Sequence, residues 1–303
     1  MRSAWNRAAL TLLRPRRLRN DLPFPIEIEE ERPHDAVFPL FGYKKVMGSL
    51  RGTTVFITGA SSGIGRSTAI AFAREGCRLL LCARGLDSLR ELQPTLTSAG
   101  AAAVHVFQLD VQSRGEVEAA LKNLPADWKG IDVLVNNAGL SRGLTKIYED
   151  DPQNWTEMID TNVMGLLYVT RNVVPGMVAR GRGHVINLGS TAAYITYANG
   201  AVYCASKAAE KSISEGLKID LMGTPVRVTS VDAGMVETNF SKVRFRGDEE
   251  RAAKVYQDIT PLQPEDIADA IVWAATRPAH VNIHTVVMTT IDQANSTVFY
   301  RHG

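Results

Sequence analysis

Tyr203 and Lys207 stand four residues apart in Tyr203-Cys204-Ala205-Ser206-Lys207, a stretch whose alanine and lysine content suits a helix. That spacing sets both side chains on one helical face. An ammonium held beside a phenol favours the phenolate, so such a pair can give and take a proton closer to neutrality than a free tyrosine. Ser190 comes thirteen residues earlier, just after the run Val185-Ile186-Asn187-Leu188. A hydroxyl there can hydrogen-bond a carbonyl and hold it for hydride attack. By itself a Y-x-x-x-K pair is more often an exposed helix pair, so its weight depends on what the rest of the chain supplies.

The second cluster lies far upstream. Val55-Phe56-Ile57 runs into Thr58-Gly59-Ala60-Ser61-Ser62-Gly63-Ile64-Gly65 and then into an amphipathic stretch. A strand, a glycine turn and a helix in that order suit a dinucleotide pyrophosphate, which needs a tight turn free of side chains and the amino end of a helix. The spacing is G-x-x-x-G-x-G, different from the common G-x-G-x-x-G fingerprint. About twenty residues on, the next strand should end in a group that reads the adenosine ribose. It ends in Ala83-Arg84 with no acid, and Arg66 follows the glycine turn. Two guanidiniums can bracket a 2′-phosphate through charge-assisted bonds, which favours NADP(H) over NAD; the alternative is a pair of solvated surface charges. Asp110, after Phe107-Gln108-Leu109, is placed for the adenine edge.

Short β-branched runs alternating with amphipathic segments position these residues. Thr54–Ile57, Arg78–Ala83, Val104–Leu109, Val133–Val135, His184–Leu188 and Val226–Val231 read as strands. Ser62–Glu75 and Leu86–Ala99 read as helices. Successive βαβ units predict an α/β fold, a doubly wound parallel sheet of Rossmann type. Residues 51–303 fit one such domain better than two, with residues 238–260 as a substrate loop.

Composition excludes several classes. Hydrophobic residues make up 45% of the 303 and charged residues 22%, which predicts a buried core and not disorder. Thirty-four basic against thirty-two acidic residues give no overall field for nucleic acid or an anionic membrane. No apolar run approaches the ~20 residues of a membrane span. Cys77, Cys82 and Cys204 match neither a disulfide framework nor a zinc spacing, and His280 and His284 have no acidic or thiol partner, so no metal is expected. A reducing compartment follows, with the cytoplasm the first expectation. The first fifty residues form a separate extension. Arg2, Arg7, Arg14, Arg16, Arg17 and Arg19 occur without an acid, and four prolines with Glu27, Glu29, Glu30 and Glu31 follow. This is either a loose tail or a mitochondrial transit peptide, the latter placing the enzyme in the matrix.

With Asn136-Asn137-Ala138-Gly139 after the fourth strand and Asp160-Thr161-Asn162 further on, the chain resembles the short-chain dehydrogenase/reductase family over residues 53–303. The resemblance implies catalysis by Ser190, Tyr203, Lys207 and Asn162, with Asn162 kinking a helix and helping to hold a water that links Lys207 to solvent. It implies cofactor contacts from Gly59, Ser61, Ser62, Gly63, Ile64, Gly65, Arg66, Arg84, Asp110, Asn137, Ala138, Gly139, Tyr203, Lys207, Gly234, Val236 and Thr238. Leu124-Pro125-Ala126-Asp127-Trp128, Ser241–Asp248 and Pro278–Ile283 narrow it towards NADP-dependent 3-hydroxy acid and serine dehydrogenases. That group is implied to oxidise hydroxyls β to a carboxylate as homotetramers. Departures surround the substrate: Ala233-Gly234 replaces Pro-Gly, Gly85 a second base, Ala193 a glycine and Thr290 a proline.

The expected activity is an NADP-dependent exchange of hydroxyl and carbonyl on a small molecule, with a serine-like 3-hydroxy acid first. A ketone or aldehyde reductase of secondary metabolism or detoxification is the alternative. An NADPH-binding sensor or scaffold without turnover is a third reading. For a carboxylate, Arg244 and Arg246 on extended chain would face the same way and form a clamp. Solvated loop arginines or an intersubunit contact would explain them equally.

Overall fold

The computed structural model describes residues 49–303. The tail and targeting expectations concern residues 1–48 and lie outside the described residues. The elements run β1 (Thr54–Thr58), α1 (Gly63–Arg74), β2 (Arg78–Ala83), α2 (Leu86–Ala99), β3 (Ala103–Gln108), α3 (Arg114–Lys122) and β4 (Val133–Asn136). Next, α4 (Pro152–Ile159) passes through a π-helical turn at Asp160–Gly165 into α5 (Leu166–Ala179). Then come β5 (Gly183–Ser190), α6 (Ala201–Asp220), β6 (Val226–Ala233), α7 (Phe240–Arg244), α8 (Glu249–Val255), α9 (Pro264–Ala275) and β7 (Thr285–Met288).

The seven strands form one parallel sheet in the order β3-β2-β1-β4-β5-β6-β7. Both faces are covered, so β1, β2 and β4 carry near-continuous apolar runs. Successive side chains nonetheless go to opposite sides. Val55 and Ile57 of β1, with Leu79 and Leu81 of β2, pack in a core that includes Phe72 of α1 and Ile267 and Ile271 of α9. Phe56 and Leu80 join Leu134, Val185 and Val228 in the opposite core, against Val169, Val173 and Met177 of α5. Chain order reverses between β1 and β4, which opens a crevice at the carboxyl ends of the strands, the usual ligand position in open α/β sheets.

Two expectations need correcting. The sequence reading named six strands, and β7 is a seventh. It is a four-residue strand at the sheet edge, with Val287 exposed and the other three residues only partly buried. Arg244 and Arg246 were expected on extended chain. Instead Arg244 ends the helix α7, and Arg246 has a left-handed φ of 53°. Their side chains diverge, as described below.

Candidate active site

The glycine turn after β1 is built by close backbone approach. Gly59 has φ of 65°, and a Cβ on it would lie 3.0 Å from Ala138 Cα. A Cβ on Gly65 would lie 2.5 Å from the Gly59 carbonyl oxygen, so only glycine lets α1 start so close to the turn. The loop after β4 is fastened to this turn. Thr58 Oγ1 accepts from the amides of Asn137 at 3.1 Å and Ala138 at 3.0 Å. Asn137 Nδ2 donates to the carbonyls of Thr58 and Gly59 at 2.9 and 3.1 Å. Ser62 precedes α1 without a side-chain cap, and no acid occupies the first turn. The first amides of α1 therefore remain open to an anion.

These residues border a cavity of about 940 Å³, the size of a cofactor-plus-substrate site. Gly59, Ser61, Ser62, Gly63 and Ile64 line it at one end, with Arg84 at the tip of β2 and Asp110 after β3. The backbone of Arg84 is held by Gln108 Nε2, which donates to its carbonyl at 2.9 Å, while the guanidinium is exposed and makes no ion pair among the described residues. Asp110 accepts from the Gln112 amide at 3.0 Å. Asn137, Ala138 and Gly139 also line it, as do Gly234, Val236 and Thr238. Gly65 and Arg66 do not line the cavity; Gly65 is buried beneath the turn and Arg66 is exposed on α1. The open helix end, the glycine turn and an arginine where an acid would repel a 2′-phosphate suit NADP(H).

The other end carries the titratable groups. Ser190 terminates β5, and its Oγ accepts from the Ala192 amide at 3.2 Å. Tyr203 and Lys207 lie on successive turns of α6, and all three line the cavity. The Tyr203 ring packs against Phe240, with centroids 5.7 Å apart, and the Arg244 guanidinium lies 5.4 Å from its centre. Lys207 Nζ donates to the Leu188 carbonyl at 2.8 Å and to Glu210 Oε2 at 2.7 Å. Asn162 sits in the π-helical turn and does not line the cavity. Its Oδ1 accepts from the Leu140 amide at 2.8 Å, while Nδ2 donates to the Leu140 carbonyl at 2.8 Å and to Ser206 Oγ at 2.9 Å. The turn thus ties the β4 loop to α6. A π-turn commonly marks a functional site.

Arg244 faces the cavity and Arg246 does not. Arg244 Nη2 donates to Tyr197 Oη at 3.1 Å, and its Nε is buried without a partner among the described residues. Arg246 donates to Asn154 Oδ1 at 2.7 Å and lies 3.6 Å from Glu157 Oε1. It braces α4 from outside, so the two-arginine clamp does not form in this structure.

Sequence reasoning missed several residues at this end. Tyr197, Gln293, Phe299 and Arg301 also line the cavity, reaching it from a loop and from the C-terminal segment. Gln293 Oε1 accepts from the Met235 amide at 2.8 Å, and a Cβ on Gly234 would lie 3.0 Å from the Met288 carbonyl oxygen. Gly234 is therefore the point where this segment closes onto β6. Nothing local in the sequence announces these contacts. Glu210 was also missed, yet helical spacing from Lys207 could have found it.

The family described as short chain dehydrogenase matches residues 53–249. The NADP-dependent 3-hydroxy acid dehydrogenase of Salmonella typhi is 47% identical over 241 residues, 79% of this chain and 96% of the relative. The NADP-dependent 3-hydroxy acid dehydrogenase of Schizosaccharomyces pombe is 38% identical over 256 residues, 84% of this chain and 99% of the relative. Among solved structures, the closed form of a serine dehydrogenase complexed with NADP+ is similar at a TM-score of 0.78 and 42% identity, covering 83% of this chain and all of that one. Sequence match, sheet order and site geometry agree: the chain belongs to the short chain dehydrogenase family.

Proposed function

We propose that the chain is an NADP-dependent oxidoreductase that interconverts a hydroxyl and a carbonyl on a 3-hydroxy acid, within one dinucleotide-binding domain spanning residues 51–303. One observation carries the substrate class: the Arg244 guanidinium lies over the Tyr203 ring with a buried, unpartnered Nε. A cation beside the acid–base group is where a carboxylate two carbons removed from the reacting hydroxyl would find its partner. The relatives' names point the same way.

The cofactor, when bound, supplies the hydride or accepts it. The open amino end of α1 and the glycine turn would receive the pyrophosphate, and Arg84 would pair with the 2′-phosphate. Ser190 holds the substrate oxygen by its hydroxyl. In oxidation Tyr203 Oη takes the hydroxyl proton, and in reduction it returns one to the carbonyl oxygen. Lys207 supplies positive charge beside that oxygen and would offer a donor to the nicotinamide ribose. Asn162 fixes the π-turn against α6. The resemblance further supports a homotetramer, measurable by light scattering; the cysteine usage supports a cytoplasmic enzyme, with the mitochondrial matrix the alternative, measurable by tagging the full chain.

A panel of 3-hydroxy acids and neutral alcohols of matched size, assayed with NADP+ and NAD+, tests this reading. The acids with NADP+ should give the highest kcat/KM. Equal kcat/KM for acids and neutral alcohols would replace it with a ketone or aldehyde reductase. Tight NADPH binding without turnover of any carbonyl would leave a sensor.

A further inference from the structure

Tyr203, Lys207 and Glu210 follow at helical spacing along one side of α6. Tyr203 and Lys207 line the cavity; Glu210 does not, and it is only 2% exposed. Its Oε2 receives Lys207 Nζ at 2.7 Å, while Oε1 is buried with no partner among the described residues. From β6, Asp232 adds negative charge near the pair, itself held by the hydroxyls of Tyr194 and Ser230. From β5 come the Leu188 carbonyl and Asn187, whose Nδ2 donates to Ser214 Oγ at 2.8 Å. The π-turn contributes Asn162, which is uncharged. From α7, Arg244 faces the ring of Tyr203.

A buried ion pair is an ineffective way to fill a core, since apolar residues of similar volume are often as stable or more so. Here one member is the lysine on which proton transfer depends. A buried ammonium loses its proton unless a nearby opposite charge compensates. We propose that Glu210 is a positioning residue for the reaction: it fixes Lys207 Nζ against the Leu188 carbonyl and keeps it an ammonium facing Tyr203. The inference rests on the Tyr203–Lys207 reading above.

The electrostatics agree with the geometry. Burial works against the charge of Lys207, but Glu210, Tyr203 and Asp232 outweigh it and hold the amine above its ordinary range. Burial pushes the Glu210 carboxyl up to about 7, with Lys207 opposing and Asp232 adding to the rise. Glu210 therefore gains its charge near neutrality, and above that pH Lys207 has a full counter-ion.

The test uses the full chain without cofactor, labelled at lysine ¹³Cε and followed by NMR. The Lys207 signal is assigned by its loss in Lys207→Met. In the wild type it should step near pH 7 as Glu210 ionises. In Glu210→Gln the step should vanish and the Lys207 midpoint should fall by about one unit or more. Glu210→Asp should recover at least part of that fall. With substrate and NADP+, the high-pH decline of kcat in Glu210→Gln should move down by a similar amount. Lys207 midpoints within about 0.3 unit in wild type and Glu210→Gln overturn the proposal. If Glu210→Gln does not fold, the shape-matched Glu210→Met is titrated in its place, and a Lys207 midpoint within about 0.3 unit of the wild type overturns the proposal. An enzyme inactive on every hydroxy acid but with the expected Lys207 titration would sink the substrate reading and leave the Glu210–Lys207 coupling standing.

Discussion

The two ends of the cavity are made of different material. The end at β1 and β4 is mostly backbone: a glycine turn, an uncapped helix start and a loop from the end of β4 pinned to that turn by Thr58 and Asn137. The end at β5 and β6 is mostly side chains brought from separate segments: Tyr203 and Lys207 from α6, Tyr197 from a loop, Arg244 from α7, and Phe299 and Arg301 from the C-terminal segment. A backbone-built end is dictated by local turn chemistry, so it has few ways to vary. A side-chain-built end can change its ligand by single substitutions while the first stays intact. Binding of the cofactor and choice of substrate should therefore separate under mutation.

Tyr203→Phe tests that separation most severely. The ring and its packing on Phe240 remain, and only the proton-carrying oxygen is lost. Turnover should fall by at least about 10²-fold, the lower end of what acid–base catalysis contributes, while NADPH affinity measured by fluorescence should stay within about threefold. A parallel loss of NADPH affinity would show that the two ends are one unit.

Glu210 gives the next effect, on stability. A carboxyl raised from an unfolded value of 4.5 to about 7 binds more protons folded than unfolded between those pH values. Its contribution is complete below pH 4.5 and is lost as pH rises through about 7. At 1.36 kcal/mol per unit the loss is at most roughly 3 kcal/mol. Denaturant titrations should show stability falling over this window in the wild type, with a flatter course in Glu210→Gln. Identical slopes would mean that the carboxyl does not change its protonation on folding.

Arg84→Asp acts on the backbone-built end. It puts a like charge where the 2′-phosphate is expected, and a charge-assisted bond is worth about 1.5–3 kcal/mol. NADPH should weaken by roughly ten- to a hundredfold and NADH little, with kcat at saturating cofactor nearly unchanged. Equal weakening of both would show that Arg84 does not read the phosphate. Arg66→Ala should change the preference less, because Arg66 does not border the cavity.

How much of this was legible in the sequence follows the same division. Strands β1 and β2 and helices α1 and α2 were readable to within a residue or so, because both sheet faces are buried and glycine punctuates the turns. Tyr203, Lys207 and Ser190 were readable because their spacing lies within one strand-to-helix unit. β7 was not, since its short apolar run at residues 286–288 lies at a partly exposed edge and follows a loop after α9 without the glycine punctuation that marks β1 and β2. Tyr197, Gln293 and Phe299 were hidden because only tertiary folding brings them to the cavity. Arg244 and Arg246 show the limit most directly: their spacing of two suggested a shared face, and a helix end followed by a left-handed residue turned them apart.

That divergence yields the smallest and most discriminating effect. Arg244 lies over Tyr203 and borders the cavity, whereas Arg246 pairs with Asn154 and Glu157 on the outside of α4. If Arg244 alone meets the carboxylate, Arg244→Ala should raise KM for a 3-hydroxy acid by about tenfold, the equivalent of ~1.4 kcal/mol for one charge-assisted contact. KM for a neutral alcohol of similar size should rise less than about threefold, because the loss of the contact with Tyr197 affects both substrates alike. Arg246→Ala should leave the ratio of the two KM values unchanged, since an exposed ion pair contributes little beyond local bracing. An equal rise for both substrates in Arg244→Ala would show that Arg244 only shapes the wall. A selective rise in Arg246→Ala would show instead that the segment 240–248 rearranges on binding and that both guanidiniums then reach the substrate.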